Sequence, residues 1–152
     1  TDELAGIVDL FGALTPAELT QALEELAFKQ GQAIDDSVVS AAVEDAVDAY
    51  ALVKNERGGQ TFLVAGPTAF PTLPENAEDL PHILDIPERD VDRAAAATAV
   101  AERLRNEADR AVDAGDESSM RDLLDVSYDV SVWSDAIAVD DVRERLDDAL
   151  AE

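Results

Sequence analysis

The sequence has no cysteine, one histidine, one methionine and only two lysines among its 152 residues. Without cysteine there is no disulfide framework and no thiolate metal site. No apolar run approaches the roughly 18 residues that a membrane-spanning helix needs. The opening TDELAGIVDLFG lacks the basic region of a signal peptide, so a soluble, cytoplasmic protein is expected. The chain also lacks a glycine-rich phosphate loop, HExxH, GxSxG and an EF-hand pattern. No catalytic, cofactor or metal site follows from motif, and a non-enzymatic protein is the expectation.

What is abundant is negative charge. Thirty-five acidic residues face eleven basic ones, for a net charge of −24, and Asp outnumbers Glu 21 to 14. Self-repulsion at this density loosens a compact state in dilute buffer and keeps the chain soluble. At molar salt the Debye length shrinks to about 3 Å, and most of that repulsion is screened. An Asp-rich, Lys-poor chain with Ala and Val as its main apolar residues therefore suits the KCl-filled cytoplasm of a halophile. Its core is thin for its length, since 27 of the apolar residues are Ala and bury little surface each.

Periodicity and capping signals outline the fold. Leu4, Val8 and Phe11, with Ile7, Leu10 and Leu14 beside them, predict a helix over 2–13. Thr15, Pro16 and Glu18 form a capping box with proline at the first helical position. That second helix should bury Leu19, Leu23, Leu26 and Phe28 and stop at Gly31. A third follows Asp35 or Asp36, with Val39, Ala42, Val43, Ala46, Val47 and Tyr50 inward. The β-prone runs 50–53 and 61–64 then predict a hairpin, with 54–60 as its turn region. Three helices and a hairpin follow the element order of a winged helix, with 54–60 as the wing.

Five of the six prolines fall in 67–88, which forbids a long helix there. Phe70, Leu73, Leu80, Ile83, Leu84 and Ile86 make this stretch too apolar for a free linker, so an ordered strap is expected. Beyond it, Asp90 or Asp92 should cap a long helix ending at Gly115, and Asp116 a short one carrying Met120, Leu123 and Leu124. Tyr128 to Trp133 reads as an irregular or extended anchor, and Asp140 as the cap of a last helix with Val142, Leu146 and Leu150. The expected class is mainly α with a small β-hairpin. It comprises a winged-helix-like domain at 1–66, a proline-rich strap at 67–88 and a helical region at 89–152 packing on it.

Each candidate site has a plain structural competitor. The exposed positions expected on the third helix (Asp36, Ser37, Ser40, Ala41, Glu44, Asp45 and Asp48) include no side chain that reads base edges bidentately. Residues 1–67 hold three cations, Lys29, Lys54 and Arg57, against twelve acids, although phosphate contacts require cations. DNA binding through the third helix is disfavoured; Lys54 and Arg57 on the wing, or the Arg-bearing helix 92–114, are the candidates for an alternative, DNA-associated regulator. The Arg-bearing helix beyond residue 92 could form an anion patch, but pairing of Arg103 with Glu107 and of Arg105 with Asp109 explains it more simply. His82, flanked by Asp79 and Asp85, would need a nucleophile and an orienting partner to act as a base, and reads instead as a packed or capping residue. Phe70, Leu73, Leu80, His82 and Ile83 either pack on the protein itself or, if exposed, form a partner-binding surface. Packing is favoured.

Three segments, TDELAGIVDLFGALTPAEL, VAGPTAFPTLPENAEDLPHILDIP and LLDVSYDVSVW, resemble an uncharacterised haloarchaeal family, a domain of unknown function. The resemblance spans essentially the whole chain and implies a halophilic archaeal cytoplasm. It carries no activity, ligand or catalytic residue. The expected role is a protein-interaction or regulatory module whose partner is protein, another copy of the chain included.

Overall fold

The first helix, α1 (Asp2–Phe11), buries Leu4, Ala5, Ile7, Val8 and Phe11. It stops two residues short of the expected end because Gly12 turns the backbone to φ +87 and Leu14 pairs with a strand. A computed structural model describes residues 2–74 and 77–151. Thr15 then caps α2 (Pro16–Lys29) with the full reciprocal box. Its Oγ1 accepts from the Glu18 amide at 3.2 Å, and its own amide donates to Glu18 Oε1 at 2.9 Å. Asp35 caps α3 (Asp36–Asp48), accepting from both the amide and the hydroxyl of Ser37.

The hairpin follows as β1 (Leu52–Arg57) and β2 (Gln60–Ala65), antiparallel, with Leu52 opposite Ala65 and Arg57 opposite Gln60. Its strands are longer than the sequence suggested: Lys54–Arg57 belong to β1, and only Gly58 and Gly59 form the turn. Both glycines have positive φ, the requirement of a two-residue turn that follows the strand twist. Leu14 adds a one-residue third strand, exchanging both backbone hydrogen bonds with Leu63. The order helix, bridge, helix, helix, strand, strand is that of a winged helix. One continuous core joins Leu4, Ile7, Phe11, Leu19, Val39, Leu52, Leu63, Leu80 and Ile86.

The chain divides into two compact units, Thr1–Val91 and Asp92–Glu152. Residues 67–88 belong to the first. Among the described residues of this stretch, regular structure is confined to a 3₁₀ turn (Ala77–Asp79) and the four-residue α4 (Leu80–Ile83). Their backbone is tied to α1 at Thr72, whose amide donates to Asp2 O at 3.1 Å, and past their end at Arg89, whose amide donates to Phe11 O at 2.8 Å. Gly6 admits the first tie, since a Cβ there would lie 2.2 Å from the Thr72 carbonyl oxygen.

The second unit is three helices, α5 (Arg93–Ala114), α6 (Glu117–Trp133) and α7 (Asp140–Leu150). Asp92 and Asp116 cap the first two through their carboxylates, and Gly115 ends α5 in the left-handed region. Tyr128–Trp133 is the end of α6 and not an extended anchor. Ser127, fully buried with its hydroxyl donating to Leu124 O, continues the Met120–Leu123–Val130 stripe that sequence reading saw as broken. Asp140 opens α7 but does not cap it; Val139 occupies that position without a side-chain bond. Across the helices Arg105 pairs with Asp141 at 2.9 Å and Arg145 with Asp109 at 2.8 Å. Asp109 therefore meets α7 and not Arg105, whereas Arg103 and Glu107 pair at 2.7 Å as expected. Arg143 ties α6 to α7, stacking 5.0 Å over the Tyr128 ring while donating to Ser127 O and Ser131 Oγ and pairing with Asp140. No described helix is long and apolar enough to cross a membrane.

Candidate functional site

The third helix and the hairpin tip are the surfaces that the sequence offered as candidates for contact with a partner. Along α3, Val39, Val43 and Ala46 face the core, leaving Asp36, Ser37, Val38, Ser40, Ala41, Glu44, Asp45 and Asp48 exposed. Four carboxylates and no cation line this face. A phosphate backbone would meet like charge along the whole helix.

The two cations of the wing do not act together. Register places Lys54 opposite Leu63 and Arg57 opposite Gln60. Lys54 and Arg57 are three residues apart on one strand and so project from opposite faces of the hairpin. Arg57 shares its face with Phe62, which stands opposite Asn55.

That face borders a cleft of about 520 Å³ lined by Ala13, Arg57, Gly58, Phe62, Arg89 and Asp90. Arg89 is fixed in it. Its Nη1 donates to Glu18 Oε1 at 2.6 Å and to Ala13 O at 3.0 Å, and its Nη2 to Glu18 Oε2 at 3.0 Å. The guanidinium also lies 4.9 Å over the Phe62 ring. This pairing holds the Glu18 carboxyl below the usual carboxylate range, against a smaller opposing push from burial, and raises the Arg89 pKa. Sequence reading gave Glu18 only its capping role and missed Arg89 and Phe62. The available signal was Arg89 itself, the first cation after a stretch without Lys or Arg from 58 to 88.

The strap residues separate into two sets. Leu80 is fully buried with Ala77 and Ile86, so it is an anchor and not a contact residue. Phe70, Leu73 and Ile83 are exposed, Phe70 at 78%, where packing had been favoured. His82 is exposed and caps nothing, contrary to the packed or capping role expected of it. Phe28 is likewise exposed at 75%, because it follows buried Leu26 by two residues and falls on the other side of α2. No group of three or more His, Asp or Glu side chains able to hold a metal occurs among the described residues.

The chain belongs to a family of unknown function, DUF7109, whose model matches residues 2–151. No curated protein and no solved structure matches it.

Proposed function

We propose, from a family membership that transfers no activity, that this protein is a non-enzymatic interaction or regulatory module of a high-salt cytoplasm. Its winged-helix-like unit contacts protein and not DNA. The observation that carries this reading is the exposed face of α3, with Asp36, Glu44, Asp45 and Asp48 and no cation. High salt weakens phosphate attraction for every DNA-binding protein, yet a reading helix still needs donors aimed at base edges, and this one offers carboxylates. Phe70, Leu73 and Ile83 add apolar contact area on the same unit. Screening at molar KCl leaves apolar burial as the main long-lived source of affinity.

The alternative is a DNA-associated regulator working through the wing, favoured by the exposure of Lys54 and Arg57. Capture of the tagged protein from lysed source cells at molar KCl, with and without a salt-tolerant nuclease, separates the two. A stoichiometric protein partner that survives nuclease and is lost on Glu44→Lys with Asp45→Lys, or on Phe70→Ser with Ile83→Ser, supports the interaction module. Co-purifying nucleic acid that is lost on Lys54→Glu with Arg57→Glu would overturn it.

A further inference from the structure

Residues 1–91 contain four cations, Lys29, Lys54, Arg57 and Arg89, against eighteen acidic side chains. Two of the four line a cleft at the foot of the wing. Their roles there differ. Arg89 is paired with Glu18, bonded to the Ala13 carbonyl and held 4.9 Å over the Phe62 ring, so it forms a wall of the cleft with its charge already balanced. The Arg57 side chain has no hydrogen-bond or ion-pair partner among the described residues, and it shares the hairpin face that carries Phe62. An unengaged guanidinium beside an aromatic ring, in a chain this acidic, is a recognition element more than a stabilising one.

From this geometry we infer that the cleft binds a monoanionic carboxylate carried on a flat apolar body. Arg57 grips the carboxylate through two parallel N–H donors, the geometry a guanidinium fits best. The body of the ligand lies along Phe62 and Ala13. A volume of about 520 Å³ suits a small molecule or the last residue of a peptide. Asp90 on the same lining sets the charge limit, since its carboxylate repels a phosphate dianion more than a single carboxylate. Molar salt adds a second filter. Chloride competes for Arg57 wherever attraction is only Coulombic, so a ligand must combine directed hydrogen bonds with apolar contact. This site is independent of the contacts proposed for α3 and for Phe70 and Ile83, which substitutions at Arg57 leave intact.

Titration of ¹⁵N-labelled full-length protein at molar KCl tests the inference, with benzoate, an acetylated peptide ending in phenylalanine, and inorganic phosphate as probes. Saturable shifts at Gly58, Phe62 and Arg89, with a Kd of about 1 mM or tighter, are expected for benzoate or for the peptide. Benzoate binding identifies a free small carboxylate, and binding of the peptide alone identifies a chain terminus. Arg57→Gln should weaken that binding about tenfold, the loss of one charge-assisted interaction. Lys54→Gln, on the opposite face of the hairpin, should leave it unchanged. Absence of saturation with both carboxylates, equal binding of phosphate, or an Arg57→Gln variant that binds as well as the parent would overturn the proposal.

Discussion

Arg89 and Glu18, 71 residues apart in sequence, meet through two parallel hydrogen bonds of 2.6 and 3.0 Å. Glu18 thereby holds two structures at once: the first turn of α2, through Thr15, and the chain beyond the strap, through Arg89. Glu18→Gln keeps a capping acceptor but loses the ion pair, and should lower stability at neutral pH by about 1–3 kcal/mol. Urea unfolding at molar KCl checks this, and an unchanged midpoint would reduce the pair to decoration.

The same pair gives an acid response of defined sign. The folded-state pKa of Glu18 is lowered, chiefly by its hydrogen bonds with Arg89. Its contribution is complete above the ordinary glutamate range near pH ~4 and is lost as the pH falls through the lower folded value. The stability gap between parent and Glu18→Gln should therefore close on acidification below about pH 4. A gap that stays constant down to about pH 2 would contradict the linkage.

Salt should act on the whole molecule. With a net charge of −24, raising KCl from dilute buffer to molar concentration should raise the urea midpoint and sharpen the transition by screening repulsion. Helical circular dichroism and a midpoint that do not respond to KCl would remove the physical basis for the halophilic reading.

The strap offers a paired comparison. Leu80 is fully buried and Phe70 is 78% exposed. Leu80→Ala should cost about 2–5 kcal/mol, while Phe70→Ala should change stability by less than about 1 kcal/mol. Equal losses at both positions would mean that the ring of Phe70 is covered in solution.

Tyr50 inverts a usual rule. It follows α3 in the left-handed region at φ +64, in the place glycine takes after α2 and α5. Its amide bonds to Val47 O, and the Ala51 amide to Ala46 O, the paired bonds of a Schellman ending. A buried ring, 2% exposed, offsets a backbone strain of roughly 1–2 kcal/mol. Both Tyr50→Ala and Tyr50→Gly should destabilise, but glycine should be better tolerated than alanine by about 1 kcal/mol, opposite to their order inside a helix. Thermal unfolding of the two variants decides it.

Local chemistry made much of this fold readable. The Thr15–Pro16–Glu18 box, the Asp116 cap and the stops at Gly31 and Gly115 each follow from a few adjacent residues and stand where the sequence put them, while the structure chooses Asp35 over Asp36 and Asp92 over Asp90. The differences arise where a distant neighbour decides. Ser127 continues the α6 stripe as a buried hydroxyl satisfied by its own helix, so apolar counting ended that helix early. Arg105 bonds to Asp141 on α7 in preference to Asp109 one turn away. In the cleft, Arg57 was readable as a wing cation, but its neighbours Phe62 and Arg89 became so only when the register and the return of the chain past the strap were known.

The ties at Thr72 and Arg89 bear on the order in which the chain can assemble. Helix α1 is held by backbone bonds to Asp2 O and Phe11 O from residues at the far end of its unit. A polypeptide growing from its N-terminus cannot complete these pairings until residue 89 has emerged, so α1 must wait for most of the first unit to be synthesised. The second unit, built from three consecutive helices, closes through contacts much nearer in sequence and should acquire its structure faster.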